Sequence, residues 1–503
     1  MADTKREIER KYEAVAGDPL PDLTRVGGVA AVVDKGVAEL DATYFDTADQ
    51  RLAGASLTLR RRTGGDDAGW HLKLPVSEGV RDEVHAPLSD GIPRPLTDLV
   101  RSRVRDAALV PVVRLRSARD VRHLVDSDGA LLAEVSLDRV RAERLSGGKG
   151  RAEWTEIEVE LAEDGDPAFL DKVDKKLRKA GVSRSSSASK LARALEETGG
   201  RAAPAVAAAG QEPPVTAGDH VLAYVRAQRD AIVALDPAVR RDVFDSVHSM
   251  RVATRRLRST FRSFGKILDR GVTDPLADEL KWLAGELGVD RDREVLTEHL
   301  TAAVSALPRT LIAGPVRGRL RTWSNARRGG SRRRLIAVLD SRRYLDLLDA
   351  LDALVDGPPL LKAATKDPSK AVAKAVRKDF RKVAGLVGQA LDLPPGPDRD
   401  LAMHEARKKA KRTRYAAEAA TPALGKPAES LVKSMKSLQS LLGDHQDSVM
   451  ARGTLRELSA QAYAAGENTF TYGVLYGREE QRAASAEEAL PEVWRTAQGD
   501  LRL

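Results

Sequence analysis

Among its 503 residues the chain has no cysteine. Disulfides, thiolate metal sites and cysteine nucleophiles are thereby excluded, and any metal must be held by oxygen or imidazole. Aromatic residues make up only 4%, which leaves few rings for the stacking that holds single-stranded nucleic acid. No apolar run approaches the roughly 18 residues needed to cross a bilayer, and the opening stretch Met1 to Glu7 carries no hydrophobic segment of signal-peptide type. These absences lead to the expectation of a cytoplasmic protein with no membrane partner, and make nucleic acid an unfavoured one.

What is present is charge. At 54.5 kDa the chain is long enough for about two to four domains. Lys and Arg outnumber Asp and Glu by 83 to 74, and the excess lies in one part: residues 212–503 hold 49 basic against 38 acidic side chains, whereas residues 1–211 hold 34 against 36. The C-terminal part is the anion-attracting one. Residues 309–343 concentrate it, with eleven arginines and one acid, Asp340. Such a run is read either as a solvated helix face or as a loop that brushes polyanions.

Glu7-Ile8-Glu9-Arg10-Lys11, read as a strand, puts Glu7, Glu9 and Lys11 on one face. Ile8 and Tyr12 share the other, so the charged face is a candidate for the enclosed one, as in a barrel with a polar lumen. The alternative is a solvated edge strand. Further β-type segments follow at Glu39 to Asp46, Ser56 to Thr63, Trp70 to Leu74, Val80 to His85, Val112 to Arg116, Asp120 to Asp126, Leu131 to Val135 and Trp154 to Leu161. Turn signals separate them, and helical patterns appear at Leu96 to Ala108, Pro167 to Ala180 and Ser189 to Glu197.

These strands repeat the ordering of the first. Arg60 and Arg62 share a face, as do Arg81 and Glu83, and Arg114 and Arg116; Lys73 lies in Trp70 to Leu74. In Glu156-Ile157-Glu158-Val159-Glu160-Leu161 three carboxylates take one face and three apolar residues the other. Carboxylates that close repel in a partly buried site, and a hard dication such as Mg²⁺ or Mn²⁺ removes the conflict. Arginine forks and lysine ammonium groups match phosphate oxygens. Together these parts suit phosphoryl transfer to water, where catalysis is mostly positioning and charge neutralisation.

Glu7-Ile8-Glu9-Arg10-Lys11 resembles the ExExK signature of the CYTH superfamily, the triphosphate tunnel metalloenzymes. The likeness continues through Tyr44-Phe45-Asp46-Thr47, Leu59 to Arg62, Lys73, Arg81 to Glu83, Arg116, Glu134, Leu137 to Val140, Glu156 to Leu161 and Ser189-Lys190. It implies an eight-stranded antiparallel tunnel and an activity among inorganic triphosphatases, thiamine triphosphatases and class IV adenylate cyclases. By the same resemblance Glu7, Glu9, Glu156 and Glu158 hold the metal, with Asp138 and Glu160 contributing. Lys11, Arg60, Arg62, Lys73, Arg116 and Lys190 hold phosphates, joined by Arg81, and Glu7, Glu9, Lys11 and Lys73 form the expected catalytic group.

Residues 201–217 are rich in Ala, Pro and Gly without apolar periodicity and read as a linker. Beyond them nearly everything reads as helix. From about Pro237 to Leu268, Val247, Met250, Thr254, Leu257, Phe261, Phe264 and Leu268 recur in steps of three and four, which is a packing face. His248, Arg251, Arg255, Arg258 and Arg262 follow one residue later, rotated about 100°. His404, Arg407, Lys411 and Arg414 repeat this ridge 156 residues on, and Leu442-Gly443-Asp444-His445-Gln446-Asp447 repeats Leu287-Gly288-Val289-Asp290-Arg291-Asp292. The chain is internally duplicated. Two copies of one helical unit normally pack about a pseudo-twofold axis, bringing the basic ridges together, which is unfavourable unless an anion lies between them.

This part resembles the CHAD domain, named for conserved histidines on α-helices and associated with polyphosphate binding. The resemblance makes His248, Arg251, Arg255, Arg258, Arg262, His404, Arg407, Lys411 and Arg414 phosphate contacts; at the position matching Arg262 the second copy has Glu418. The histidines also read as capping or core residues, or as metal ligands, although their neighbours are cations. The expectation is an α+β chain: a tunnel domain at 1–200, a linker at 201–217 and an all-α domain of two related repeats at 218–503. Its expected function is metal-dependent hydrolysis of triphosphate or short polyphosphate, joined to a polyphosphate-binding module. The rival is a non-catalytic protein that binds polyphosphate or is targeted to polyphosphate granules.

Overall fold

The computed structural model describes residues 3–199, 213–288, 291–325 and 328–501. Most of the expected linker falls outside them. The chain divides into two compact units, Met1–Gln211 and Glu212–Leu503.

The first unit is built on eight strands: β1 (Asp3–Ala14), β2 (Ala31–Asp46), β3 (Thr58–Thr63), β4 (Gly69–Ser77), β5 (Val80–Ala86), β6 (Val110–Val125), β7 (Leu131–Arg144) and β8 (Arg151–Leu161). They form a closed barrel in the order β1-β5-β4-β3-β2-β6-β7-β8, with every pairing antiparallel. Closure rests on β1, which pairs with β5 from Asp3 to Ile8 and with β8 from Glu9 to Ala14. The segments expected at Val112 to Arg116 and Asp120 to Asp126 are one strand, β6. The polar stretch Ser117-Ala118-Arg119 between them stays in the ladder because β2 and β7 flank it on both sides.

Period-two alternation is inverted relative to an ordinary barrel: the apolar positions point outward and are covered by helices. Ile157, Val159 and Leu161 of β8 pack with Phe169, Leu170, Val173 and Leu177 of helix α2 (Ala168–Lys179). Leu59, Leu72 and Leu74 pack with Leu96, Leu99 and Val100 of α1 (Arg94–Val104). Burying such a side chain contributes roughly 1.5–3 kcal/mol, so these helices hold the lumen's charges in place. One end of the lumen is filled by Tyr44, Val113, Leu115, Val140 and Trp154, which pack with Leu191, Ala194 and Leu195 of α3 (Lys190–Glu197). Ser189 caps α3 by accepting from the Ala192 amide at 3.1 Å, and this sets Lys190 at the helix's first position.

The second unit is helical: α4 (Ala217–Arg240), α5 (Ser246–Ser263), α6 (Arg270–Glu286), α7 (Arg291–Ser305), α8 (Val316–Asn325), α9 (Arg328–Asp340), α10 (Arg342–Asp356), α11 (Pro368–Asp392), α12 (Pro397–Leu424), α13 (Lys426–Ala464) and α14 (Phe470–Gly499). The helix expected from Pro237 starts instead at Ser246. Pro237 lies in the last turn of α4, and Asp242 and Asp245, with φ of 61° and 60°, break the chain between the helices. The expected seam holds, with Met250, Leu257, Phe261, Phe264 and Leu268 all buried in one core that runs through both repeats.

Candidate functional site

The barrel registers set Glu9 opposite Glu160, Lys11 opposite Glu158 and Glu13 opposite Glu156 of β8, which on its other side faces Glu134, Ser136 and Asp138 of β7, while Glu7 lies opposite Arg81 of β5. All of these occupy inward positions. Asp138, Glu156 and Glu158 have ligand oxygens within 4.8 Å of one another. The Lys190 ammonium lies 2.9, 2.7 and 2.6 Å from these three carboxylates. Arg119 forks onto Asp138 at 2.8 and 2.7 Å and reaches Glu158 at 2.7 Å. Lys11 bridges Glu158 and Glu9, the latter at 3.3 Å. Glu160 sits further out with Lys5 at 2.7 Å.

A second group adjoins the first through Glu9. Lys73 pairs with Glu7 and lies 3.8 Å from Glu83, Arg81 is 3.9 Å from Glu9, and Arg60 contacts Tyr44 and Glu83 at 3.4 and 3.5 Å. Arg62, buried beside Arg60, pairs with Asp67. Burial and the neighbouring Glu83 push the Glu7 carboxyl up to about 7 despite Lys73. Glu83 is held far below the usual carboxylate range, because Lys73, His71 and Arg60 outweigh its burial. Near neutrality Glu83 is thus ionised while Glu7 titrates. Glu9 is also buried, but Lys11 and Lys73 bring it down to about 2.

The donors fit a hard cation: they are all carboxylate oxygens, three of them converge, and neither thiolate nor imidazole belongs to the group. Burial disfavours the ionised forms of Asp138 and Glu158, yet Arg119, Lys11 and Lys190 keep both ionised. Asp138 and Glu158 are therefore already charged for a metal, while the same cations compensate them within the protein.

One expected residue is on the wrong face. Arg116 points outward, its side chain 60% exposed and 3.4 Å from Asp41, which Arg114 also binds. The lumen side of β6 carries the odd positions Val113, Leu115, Ser117 and Arg119, since these oppose inward Tyr44, Ala42, Leu40 and Ala38 or inward Asp138. Arg119, missed in the sequence, takes the lumen place. Glu83, placed on the face of Arg81 by the sequence, was given no role there, and His71 was missed. The available signal was parity, since Glu83 is two residues from Arg81, and His71 two from Lys73.

In the helical unit the two ridges meet. Glu418 of α12 accepts from Arg256 of α5 at 3.0 Å and lies 3.4 Å from Arg414 and 3.2 Å from the Tyr224 hydroxyl. Burial followed by the guanidinium groups of Arg407, Arg255, Arg414 and Arg251 depresses Lys411 to about 7. Burial, and then Arg251, Arg414 and Arg407, likewise lowers Arg255. Five cations from two helices thus form one group, in which Arg255, Arg407 and Lys411 have no carboxylate partner among the described residues. Arg258 is adjacent to Arg262, with Asp278 as the offsetting charge. His248 and His404 are half-buried on the same helices.

The duplicated Leu-Gly pairs have a steric explanation. A Cβ on Gly288 would stand 2.7 Å from the Arg251 guanidinium carbon, and one on Gly443 would stand 3.1 Å from an Arg407 nitrogen. Each glycine lets the first arginine of a ridge lie directly on main chain, just past the end of α6 in the first copy and within α13 in the second. Val289 and Asp290 fall outside the described residues.

Family comparison agrees with both geometries. The CYTH domain model matches residues 5–195 and the CHAD domain model residues 223–456. Two uncharacterised proteins of Mycobacterium tuberculosis, from strains CDC 1551/Oshkosh and ATCC 25618/H37Rv, are each 38% identical over 499 residues, covering 96% of this chain and 94% of theirs. The chain is a CYTH–CHAD protein.

Among solved structures, PptA from Streptomyces chartreusis is similar at 21% identity and a TM-score of 0.44, covering 56% of this chain and 99% of its own. The CHAD domain from the plant Ricinus communis is similar at 22% identity and a TM-score of 0.40, covering 58% and 95%. CYTH superfamily members are metal-dependent phosphate hydrolases or cyclases. No helix of the CYTH–CHAD chain is long and apolar enough, among the described residues, to cross a membrane.

Four arginines of the run in this CYTH–CHAD protein are engaged within the helical unit. Arg319 pairs with Glu467, Arg334 with Glu286 and Arg343 with Glu279, and Arg332 donates to the Val239 and Arg240 carbonyls at 2.6 Å. These residues tie helices together.

Proposed function

We propose that this protein hydrolyses inorganic triphosphate or a short polyphosphate in the CYTH lumen and binds longer inorganic polyphosphate on the paired CHAD ridges. The observation that carries the reading is the adjacency, within one closed lumen, of three converging carboxylates and the cations Lys11, Arg60, Arg62, Lys73, Arg81, Arg119 and Lys190. Asp138, Glu156 and Glu158, with Glu9 and Glu7 alongside, are the residues that would hold a divalent cation, Mg²⁺ or Mn²⁺. When bound, that ion supplies charge neutralisation at the phosphate oxygens and a polarised water.

The chain's own groups do the rest. Arg60, Arg62, Arg81 and Lys73 bind and orient successive phosphates, and Lys11, Lys190 and Arg119 exchange carboxylate partners for phosphate oxygens as the substrate enters. The Glu7–Glu83 pair can take up or release one proton near neutral pH, next to Lys73. The helix α3 plug keeps bulk water from one end. Purified protein with Mg²⁺ should release phosphate from tripolyphosphate, and the double substitution Glu7→Ala, Glu9→Ala should abolish release while leaving polyphosphate binding intact. Absence of turnover on any triphosphate refutes the catalytic half.

The second reading is a tunnel that only binds phosphate chains. It is favoured by one specific observation: Asp138, Glu156 and Glu158 are fully compensated by Lys190, Arg119 and Lys11. It predicts tight binding with no turnover and no dependence on added metal.

A further inference from the structure

A further row of cations, apart from the α5–α12 ridges, lies on the outer face of α11. Lys370, Lys374, Arg377 and Arg381 recur in steps of four, three and four, so they share one face of the helix. All four are exposed. They line a cavity of about 590 Å³ whose far wall is Leu424 and Pro427, at the corner where α12 passes into α13. No carboxylate lines this cavity, and among the described residues none pairs with Lys370, Lys374 or Arg381. Like charges at one-turn spacing destabilise a helix by a few tenths of a kcal/mol per pair unless an anion offsets them.

The internal duplication supplies a control within the molecule. Val221, Leu222, Val225, Gln228, Ile232, Asp236 and Val239 of α4 are all buried, and so are Val372, Ala373, Val376, Asp379, Val383, Val387 and Ala390 of α11, each 151 residues later. On this register the counterparts of the four cations are Asp219, Ala223, Arg226 and Asp230. The equivalent face of the first repeat thus carries two acids and one base. The basic row is particular to α11, so neither the repeat's packing nor its helix propensity accounts for it.

We propose that this α11 cavity is a second anion site of the helical unit, separate from the α5–α12 ridges, which takes a short run of inorganic phosphate units. The assignment of the anion as phosphate rests on the polyphosphate-binding reading above, whereas the existence of the site does not. A volume near 590 Å³ is within the ordinary range of small-ligand cavities. Two lysines and two arginines provide point charges and forks for successive phosphate oxygens.

The test is calorimetric titration of the full-length protein with polyphosphate of one short, uniform length, without added metal. In the variant Lys374→Glu, Arg381→Glu the number of bound chains should fall by one, and the step that disappears should weaken at least ten-fold. A ridge variant, Arg255→Gln, Arg407→Gln, should lose a different step. A control, Lys175→Glu, Lys179→Glu on α2, makes the same change in charge and should lose none. Circular dichroism and melting confirm folding, with Lys374→Gln, Arg381→Gln as the milder replacement if the reversal unfolds the domain.

Unchanged stoichiometry in the α11 variants overturns the site. An equal loss in the α2 control reduces it to diffuse charge and also overturns it. Displacement by polyglutamate at equal charge overturns the phosphate assignment while keeping the site. If the ridge variant loses nothing while the α11 variant does, the ridge reading fails and the α11 site stands.

Discussion

Lys411 makes polyphosphate binding depend on pH, and the size of the effect follows from its surroundings. Burial, then Arg407, Arg255, Arg414 and Arg251, lowers its pKa to about 7. A polyanion between the ridges reverses the repulsion and favours the ammonium, drawing the pKa back toward the ordinary lysine value. The sign is therefore proton uptake on binding. For a free value near 7 and a bound value near 10.5, affinity falls roughly ten-fold between pH 6 and pH 8, or about 1.4 kcal/mol, and roughly 0.9 proton is taken up per site at pH 8.

In the free protein the same lysine destabilises the fold fully below about pH 7. That penalty is relieved as pH rises toward the unfolded value near 10.5. The assay is calorimetry with long polyphosphate at constant ionic strength, in two buffers of different ionisation enthalpy. Long chains keep terminal phosphates, which also titrate, a small fraction of the charge. Lys411→Arg should bind with a flat pH profile, and Lys411→Met should also be flat but weaker than wild type at both pH values, with a deficit roughly ten-fold larger at pH 6 than at pH 8. No proton uptake at pH 8, or an unchanged slope in Lys411→Arg, would refute the reasoning.

Other expectations are independent of this one. Gly443→Ala should displace Arg407 from its bed on α13 and weaken polyphosphate binding several-fold, with a melting temperature lowered by only a few degrees, because the group that must move is the far end of a flexible side chain. Arg119→Ala should lower tripolyphosphate turnover at least ten-fold and cost stability, since it leaves Asp138 buried beside Glu158 with Lys190 as its remaining cationic partner among the described residues, a loss of about 3–5 kcal/mol. Arg116→Ala should leave both turnover and melting close to wild type, because its bond to Asp41 is an exposed surface pair; an Arg116 defect as large as that of Arg119 would contradict the barrel's parity. Lys190→Ala should strengthen the apparent affinity for the divalent cation while weakening that for triphosphate, read by titrating each at saturating levels of the other.

Much of this architecture is written in local pattern. Alternation of period two along Glu156 to Leu161 specifies a strand with one charged face, and that pattern repeated at regular spacing specifies a barrel with a polar lumen. A ridge displaced from a buried seam by one residue specifies an amphipathic helix with cations bordering its core. Recurrence of His404, Arg407, Lys411 and Arg414 at a constant offset specifies a duplication. These features were legible because each depends only on how side chains are disposed along a single element.

What remained was decided by closure and packing. A strand has two faces, and nothing in β6 itself says which is inside. Pairing with β2 and β7 turns Arg119 inward and leaves Arg116 on the surface. The arginine run read equally as a solvated helix face or a loop brushing polyanions; only the fold brings Glu467, Glu286 and Glu279, distant in the chain, against Arg319, Arg334 and Arg343. The raised pKa of Glu7 beside Glu83 and the depressed pKa of Lys411 likewise exist only because the fold brings like charges from separate elements into partial burial, where water no longer screens them.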